Sequence, residues 1–302
     1  MAEVVAGADF GSNKVGFIIA ALRRGRLEIV ERDSRFTRLA EGIAESGRIG
    51  GAALLRTLEW CREMREHFER RGVTRFRGVG TEALRRAKNQ REILQLIHDV
   101  LGAPIEVISG EEEGRLTFEG VRTGYPRGPL AVIDIGGGST EVAIGHGPPR
   151  RGRERVEVAS RSIGAVVLTE RCGEDWPKLG RAIHAALRNF TPSGEVPGLL
   201  TVLGGTGANV AMMDLGERDI DDARLEGHVI GLKRLRELRA RSAAMTPKQR
   251  VRKLGLLPQR ADIQIAGLAI LESVLEHLGI EALRISRFAL RHGVLKSAAA
   301  PR

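Results

Sequence analysis

The sequence has little cysteine, few aromatic side chains and no long apolar run. Its two cysteines, Cys61 and Cys172, lack C-x-x-C spacing, which argues against a disulfide framework or a thiolate metal site and fits a reducing cytoplasm. Aromatic residues make up 4% of the chain, too few for a surface that stacks single-stranded bases. No apolar run approaches the roughly 20 residues of a membrane span, and no signal peptide is expected. We therefore expect a cytoplasmic protein with no membrane partner and no specific nucleic-acid partner.

Positive charge is plentiful. Lysine and arginine number 48 against 38 acidic residues, which gives a net charge of +10 over 302 residues. Such a surface attracts polyanions, including polyphosphate and nucleotides. An arginine-rich, well-solvated surface without a specific partner explains the same charge equally well. The length allows two domains of roughly 100–200 residues each.

One pattern occurs twice: an apolar strand reaches an aspartate, turns on glycine and hydroxyl side chains, and returns as a strand. Residues 132–144 read V-I-D-I-G-G-G-S-T-E-V-A-I, and the earlier copy turns at Asp9, Phe10 and Gly11. The recurrence suggests a duplicated unit. Residues 121–129 are rich in glycine and proline and are interpreted as a linker. We therefore predict domains over 1–124 and 125–302, both of the α/β class.

The second copy has the chemistry of a phosphate site. Its glycines let a ligand approach backbone N–H groups, which in such a turn form an anion-binding nest. The carboxylates of Asp134 and Glu141 would repel a phosphate unless a hard cation lay between them, and Mg²⁺ is the most plausible. The loop lacks the G-x-x-x-x-G-K-[ST] pattern, and a strand follows it where a dinucleotide fingerprint needs a helix. A plain glycine-rich hairpin is the remaining alternative.

Two further stretches each allow two interpretations. Residues 199–209, L-L-T-V-L-G-G-T-G-A-N, predict a strand, a turn and a helix whose N-terminus suits an anion, although tight strand–helix packing explains the glycines as well. In residues 109–113, S-G-E-E-E, Ser109 and Glu112 form a capping box at a helix start, and the acids favour the helix dipole. One of the glutamates could also act as a general base toward water.

Helical periodicity and terminal glycines predict the remaining helices. Thr246 is expected as an N-cap with Pro247 in the first helical position. The predicted helices cover about 52–71, 89–101, 178–190, 224–241, 247–254 and 260–278.

Several motifs in a fixed order resemble the exopolyphosphatase / guanosine pentaphosphate phosphohydrolase (Ppx/GppA) family, over nearly the whole chain and in its short two-domain form. They are A-D-F-G-S-N at 8–13, R-L-A-E-G-I at 38–43, G-T-E-A-L-R-R-A-K-N at 80–89, I-S-G-E-E-E-G-R-L at 108–116, D-I-G-G-G-S-T-E at 134–141, S-I-G-A-V at 162–166, G-G-T-G-A-N at 204–209 and R-A-D-I-Q-I-A-G at 260–267.

The resemblance implies two actin-like (ribonuclease H-like) domains, each a mixed sheet flanked by helices, with the active site in the cleft between them. Glu112 matches the family's water-activating glutamate, and Arg85 an arginine that faces the phosphate chain. Asp134 and Glu141 match metal-site acids, and the repeated pattern adds Asp9. The expected phosphate-binding residues are Gly11, Ser12, Asn13 and Lys14, then Gly136, Gly137, Gly138, Ser139 and Thr140, then Gly205, Thr206 and Gly207.

These features predict an exopolyphosphatase that uses Mg²⁺, or Mn²⁺, to release the terminal phosphate of inorganic polyphosphate; the resemblance also suggests a homodimer. A guanosine pentaphosphate 5′-phosphohydrolase with a base pocket near residues 204–209 is the alternative. A polyphosphate or nucleotide sensor without turnover is a second one. A sugar kinase would need an aspartate base at an acceptor site, and none is recognisable.

The chain departs from the family pattern in two places. Lys14 stands where the family's first loop usually has Ser or Thr. The family tends to read S-D-x-G-L-R-E-G near its C-terminus, whereas residues 286–293 here read S-R-F-A-L-R-H-G. The changes at Arg287, Ala289 and His292 put the local turn and substrate selection in question.

Overall fold

The computed structural model describes residues 3–146, 154–217 and 222–300. The chain forms two compact units, one made of 1–120 together with 290–302 and the other of 121–289. No helix within the described residues combines the length and the apolar character that a membrane span requires.

The first unit is a five-stranded mixed sheet with helices on both faces. Its strands lie in the order β3-β2-β1-β4-β5; β1, β2 and β3 are antiparallel neighbours, and β4 and β5 continue in parallel. The strands are β1 (Glu3–Phe10), β2 (Val15–Arg23), β3 (Arg26–Arg35), β4 (Arg75–Gly80) and β5 (Ile105–Val107). The helices are α1 (Ile43–Ser46), α2 (Gly51–Arg71), α3 (Glu82–Arg86), α4 (Gln90–Leu101), α5 (Gly110–Gly124) and the last helix of the chain, α14 (Leu290–Ala299).

Side chains of β1 and β2 alternate between two apolar layers, as the period of two in a strand requires. Phe10, Phe17 and Ile19 pack against the buried face of α2 at Trp60 and Met64. On the opposite face Val5, Ile18 and Ala20 pack against Leu295 of α14. The central strands are therefore covered on both sides, which fixes the position of the loop that joins them.

The second unit contains a six-stranded sheet in the order β10-β11-β9-β6-β7-β8. Its strands are β6 (Leu130–Ile135), β7 (Thr140–His146), β8 (Arg155–Arg161), β9 (Leu200–Leu203), β10 (Val229–Gly231) and β11 (Ala282–Ile285). Its helices are α6 (Ala165–Cys172), α7 (Trp176–Leu187), α8 (Gly204–Leu215), α9 (Asp222–Leu225), α10 (Leu232–Ala243), α11 (Pro247–Leu254), α12 (Pro258–Ala261) and α13 (Gln264–Leu278). Helix α13 is buried along most of its length and forms the centre of this core.

The two sheets repeat one topology. Strands β8-β7-β6-β9-β11 take the places of β3-β2-β1-β4-β5: an antiparallel meander of three strands, then two strands that join in parallel. The predicted α/β class and the predicted mixed sheets are confirmed. In each unit the aspartate of the repeated pattern lies at or next to the end of the first strand.

The predicted domain ranges, 1–124 and 125–302, differ from the compact units in two ways. The division falls at 120/121, and residues 290–302 belong with the first unit because α14 packs on its sheet. The linker predicted over 121–129 was wrong for its first four residues, since α5 continues to Gly124. The helix predicted over 224–241 was also wrong, because it is interrupted by β10, which pairs with β11.

Candidate functional site

The loop between β1 and β2 is a tight turn. The N–H of Gly11 donates to the carbonyl of Lys14 at 3.0 Å, which closes the turn. Behind the loop, the N–H groups of Arg38 and Ala40 donate to the carbonyls of Asn13 and Ser12. Gly11 therefore shapes the loop with its own amide, and the carbonyls of the loop point toward its support.

Asp9 lies one residue before the end of β1, and its side chain is largely buried. Nε of Arg291, in the first turn of α14, is 2.9 Å from Oδ1 of Asp9. Burial raises the pKa of Asp9 to about 6, and the charges of Arg291 and Lys14 oppose that rise. Nζ of Lys14 lies 5.3 Å from the centroid of the Phe36 ring, a cation–π contact that holds this side chain beside the loop.

Helix α5 brings three glutamates to its N-terminus. The N–H of Glu112 donates to the hydroxyl of Ser109 at 3.1 Å, so the predicted cap is present. Both carboxylate oxygens of Glu112 accept from Arg115, one turn along the same helix. Arg77 on β4 is 3.6 Å from Glu112 as well. The carboxylate predicted to activate water is thus held by two arginines.

Arg85 has different partners. Its guanidinium donates to Glu113 at 2.8 Å, to Glu82 at 3.0 Å and to the carbonyl of Ile108 at 2.9 Å. Burial alone would lower the pKa of Arg85, but the carboxylates of Glu113 and Glu82 raise it. The structure therefore brings Arg85 together with Glu113, and not with Glu112.

The glycine loop between β6 and β7 repeats the geometry of the first loop. The N–H of Gly136 donates to the carbonyl of Ser139 at 2.9 Å and closes the turn. The hydroxyl of Thr140 donates to the carbonyl of Ile163. Within the described residues, no backbone acceptor is found for the N–H groups of Gly137 and Gly138. These two amides are the donors available to an anion.

The start of α6 supports this loop from behind. The N–H of Ala165 donates to the carbonyl of Gly136, and those of Val166 and Val167 donate to the carbonyl of Gly137. Gly164 lies so close that an added Cβ would be 2.3 Å from the carbonyl oxygen of Gly137. The S-I-G-A-V motif is therefore the support of the glycine loop.

Asp134 and Glu141 are paired residues of β6 and β7, so their side chains share one face of the sheet. Glu141 is buried and accepts a hydrogen bond from Ser160 at 2.8 Å. Mg²⁺ in proteins is usually held by one or two carboxylates, with water and substrate phosphate completing its shell. The pair fits such a site. The described residues contain no cluster of three or more His, Cys, Asp or Glu side chains that could hold a metal by itself.

Residues 199–209 were predicted either to bind an anion at a helix start or to pack a strand tightly on a helix. At the start of α8, these two interpretations apply to different residues. Thr206 and Gly207 point inward: the Thr206 hydroxyl lies against Gly267 of α13, and Gly207 lies against Val202. These two positions match strand–helix packing. Gly204, by contrast, is exposed at the helix start, and Gly205 is half-buried.

Arg260 of α12 joins this region to Asp134. An added Cβ on Gly205 would lie 1.0 Å from its Nη1 atom, so the guanidinium rests directly on that glycine. Burial lowers the pKa of Arg260 to about 10, and the charge of Asp134 opposes the shift. Each unit therefore places an arginine beside the aspartate of its first strand, Arg291 in one and Arg260 in the other.

Arg260, Arg291 and Glu82 were not predicted from the sequence as site residues, and Glu113 was among the candidate bases until the resemblance selected Glu112. Arg260 and Glu82 lie inside the family motifs, and Arg291 is one of the positions in the C-terminal pattern that this chain keeps. Their places in these motifs were the sequence signal that could have identified them as site residues. Their partners come from distant parts of the chain, and a single sequence does not reveal such pairs.

The altered C-terminal pattern divides between the units: residues 286–289 belong to the second unit, whereas His292 lies in α14 of the first. The N–H of Arg287 donates to Glu226 at 2.6 Å, and the hydroxyl of Tyr125 donates to the other oxygen of Glu226. The ring of Phe288 packs on Gly124. The segment is therefore ordered by these contacts, although three of its residues depart from the family pattern.

Comparison with known proteins decides the family. The model of the Ppx/GppA phosphatase family matches residues 18–300. The chain belongs to this family. It is therefore a phosphatase of the hydrolase class, built on the family's actin-like fold.

The relatives match over almost their whole length. Exopolyphosphatase 2 of Mycobacterium tuberculosis is 32% identical, with 98% of each chain covered. The crystal structure of the Aquifex aeolicus member of the Ppx/GppA family is 30% identical, with a TM-score of 0.81 over 98% of this chain and 97% of that one. An exopolyphosphatase-like protein of known structure is 26% identical, with a TM-score of 0.88 over 98% and 97% of the two chains.

Proposed function

We propose that this protein is an exopolyphosphatase, which releases orthophosphate from the end of inorganic polyphosphate with the help of Mg²⁺. The full-length similarity to a protein named exopolyphosphatase carries the proposal. The duplicated aspartate–glycine loops and the net charge of +10 support it, because a long polyanion needs anion sites and a basic surface.

In this proposal the chain positions the phosphoryl group and offsets its charge, which are the main requirements of phosphoryl transfer. The amides of Gly137 and Gly138 bind phosphoryl oxygens, together with amides of the first loop other than that of Gly11, which closes its own turn. Asp134 and Glu141 would hold Mg²⁺, and the ion would supply charge neutralisation at the phosphoryl group. The homodimer and the cleft between the two domains remain predictions of the resemblance.

We assign water activation to the first turn of α5, and within it to Glu113. The resemblance selects Glu112 by position. However, Arg85 is the residue expected to face the phosphate chain, and of the two candidate glutamates of α5 it binds Glu113, at 2.8 Å. Both oxygens of Glu112 are already held by Arg115, which leaves Glu112 less suited to accept a proton from water.

A guanosine pentaphosphate phosphohydrolase is the competing activity within this family. It would need a pocket for a base, for which residues 204–209 were the candidate. Residues 204–209 contain no aromatic side chain, and Thr206 and Gly207 pack inward. We therefore place polyphosphate first.

The test is phosphate release from long-chain polyphosphate and from guanosine pentaphosphate, measured side by side with Mg²⁺ and with chelator. We expect release from polyphosphate that needs Mg²⁺ and scales with protein concentration. A higher kcat/KM for the nucleotide would replace the proposal with the competing activity. Release from neither substrate would leave a binding protein without turnover.

A further inference from the structure

Asp9 poses an electrostatic problem for the first loop. Its carboxylate lies immediately before the Phe10–Gly11 turn. The substrate proposed to bind this loop is a polyanion, so both groups are negatively charged. A fixed negative charge repels an anion at short range most strongly where water is partly excluded. Either a bound cation or a positive side chain must compensate this charge if the loop is to accept phosphate.

Arg291 supplies the charge from within the same unit. Its Nε atom lies 2.9 Å from Oδ1 of Asp9, and the two side chains are 25% and 22% exposed. Oδ1 of Asp9 is buried and the contact lacks the geometry of a hydrogen bond. The two groups therefore form an ion pair, and its effect is that the positive charge of Arg291 offsets the negative charge of Asp9.

The sheet is shaped to admit this guanidinium. Gly16 is the residue paired with Asp9 across β1 and β2. A Cβ on Gly16 would lie 2.6 Å from Nη1 of Arg291, so the missing side chain makes the room that Arg291 uses to reach Asp9. Nη1 also donates to the carbonyl of Asp33 on the neighbouring strand β3, at 3.4 Å.

Helix α14 is anchored firmly enough to hold the arginine in place. Leu290 and Val294 pack with Val79, Ile108 and Leu116, and Leu295 is buried against β1 and β2. Arg291 therefore starts from a fixed backbone, and its guanidinium is oriented before any ligand binds.

The second unit repeats the arrangement with Arg260 beside Asp134. The two arginines come from different helices, and each serves the aspartate of the first strand in its own unit. An arginine near the first-strand aspartate is therefore a feature that both units share.

We propose that Arg291 is a positioning residue, the built-in counter-ion of Asp9, which allows the first loop to accept a phosphate chain without a divalent cation at Asp9. The identity of the anion rests on the proposed function. The role assigned to Arg291 concerns binding and requires no turnover, so the two can fail separately.

The experiment measures binding of tripolyphosphate in chelator by calorimetry, at low ionic strength. Wild type is expected to bind. Arg291→Gln leaves only the more distant Lys14 to offset the Asp9 charge and should weaken binding by about tenfold. Asp9→Asn combined with Arg291→Gln removes both charges and should restore affinity to within about threefold of wild type. Arg291→Lys keeps the charge and should also bind within about threefold of wild type.

Lys296→Gln is the matched control, because it removes the same charge from the exposed side of the same helix. It should bind as wild type does. Thermal unfolding checks each variant. If Arg291→Gln does not fold, the double variant still decides, since the proposal requires it to bind nearly as well as wild type.

Three results would overturn the proposal. The first is a wild type that does not bind in chelator, which would mean that a metal is required. The second is an Arg291→Gln variant that binds as tightly as wild type. The third is a double variant that binds as weakly as Arg291→Gln, which would show that Arg291 contacts the anion itself or only supports the fold. Phosphate release by wild type with Mg²⁺, measured separately, reports on the proposed function.

Discussion

Glu112 and Glu113 are neighbours in the first turn of α5, yet their surroundings differ. Glu112 is 27% exposed and bound by Arg115, whereas Glu113 is 9% exposed and bound by Arg85. A local sequence pattern cannot decide which of them activates water, because the family motif includes both and the capping box involves only Glu112. The difference arises from α3, which brings Arg85 to one of the two.

The first prediction compares these acids. Glu113→Gln should lower kcat by about 10²–10⁴-fold, the usual loss when a general base is removed. The kcat of Glu112→Gln should stay within about tenfold of wild type, because this change removes only ion pairs with arginines. Steady-state phosphate release from polyphosphate measures both. If Glu112→Gln proved the more damaged enzyme, water activation would return to Glu112.

Gly205 gives a second prediction at the residue scale. In Gly205→Ala the new Cβ would occupy the place of the Arg260 guanidinium, so Arg260 must move away from Asp134. We expect a clear loss of activity, about tenfold or more, because a displaced charge no longer compensates Asp134. The protein should remain folded.

Gly180→Ala is the control for that variant. Gly180 lies within α7 and a Cβ there meets no atom within 4 Å. Alanine should raise stability by about 0.4–1 kcal/mol through the unfolded chain, with activity unchanged. Full activity in Gly205→Ala would mean that the position of Arg260 does not matter for turnover.

At the scale of elements, the glycine loop depends on the helix behind it. Gly164 begins α6 and touches the peptide between Gly137 and Gly138, whose atoms would lie 2.3–2.5 Å from an added Cβ. Backbone atoms cannot swing aside as a flexible side chain can. The geometry of the loop is therefore set by a residue that never touches the substrate in the proposal.

Gly164→Ala should displace the amides of Gly137 and Gly138 and raise KM for polyphosphate together with a loss in kcat. We expect a fall in stability of about 1–3 kcal/mol, as for other overpacked positions. Kinetics and thermal unfolding, measured on the same sample, separate the two effects. Unchanged KM and kcat would show that this loop does not bind the substrate.

The elements also show which features a single sequence reveals. The helix predicted over 52–71 was confirmed as Gly51–Arg71, and it ends at Gly72 in the left-handed conformation. The Thr246 cap and Pro247 were confirmed as well. These signals are local. Strand β10 was missed because three residues carry no pattern and are held only by pairing with β11.

The two aspartate–glycine hairpins were predicted for the same reason, since both are encoded in consecutive residues. The arginines that lie beside their aspartates were not predicted. Arg291 and Asp9 lie far apart in the sequence, and no local pattern around either residue indicates that the two are in contact. The residues of α14 were assigned to the second domain because they follow it directly in the sequence. In the structure, the apolar face of α14 packs on the first sheet.

At the scale of the whole molecule, the first unit is discontinuous in sequence. Its outer layer on β1 and β2 is formed by α14, which the chain supplies last. A chain that ends at residue 289 should therefore lose the packing of Val5, Ile18 and Ala20. We expect the first unit to lose cooperative unfolding in calorimetry and to bind a hydrophobic dye.

The second unit, over 121–289, should keep its own unfolding transition in that truncated chain, because its core is built from that range alone. Hydrogen exchange on strands β6 and β9 checks this directly. Loss of protection in both units at once would contradict the division, and full protection in both would show that α14 is dispensable.

In the proposed function, the protein removes phosphate from the end of a polyphosphate chain. The direct test follows polyphosphate of uniform length over time with Mg²⁺, by gel electrophoresis together with the release of orthophosphate. The proposed function predicts orthophosphate from the first time point, with no chains of intermediate length from internal cleavage, and almost no orthophosphate release with Glu113→Gln. Early appearance of mid-length chains, or the absence of orthophosphate, would contradict it.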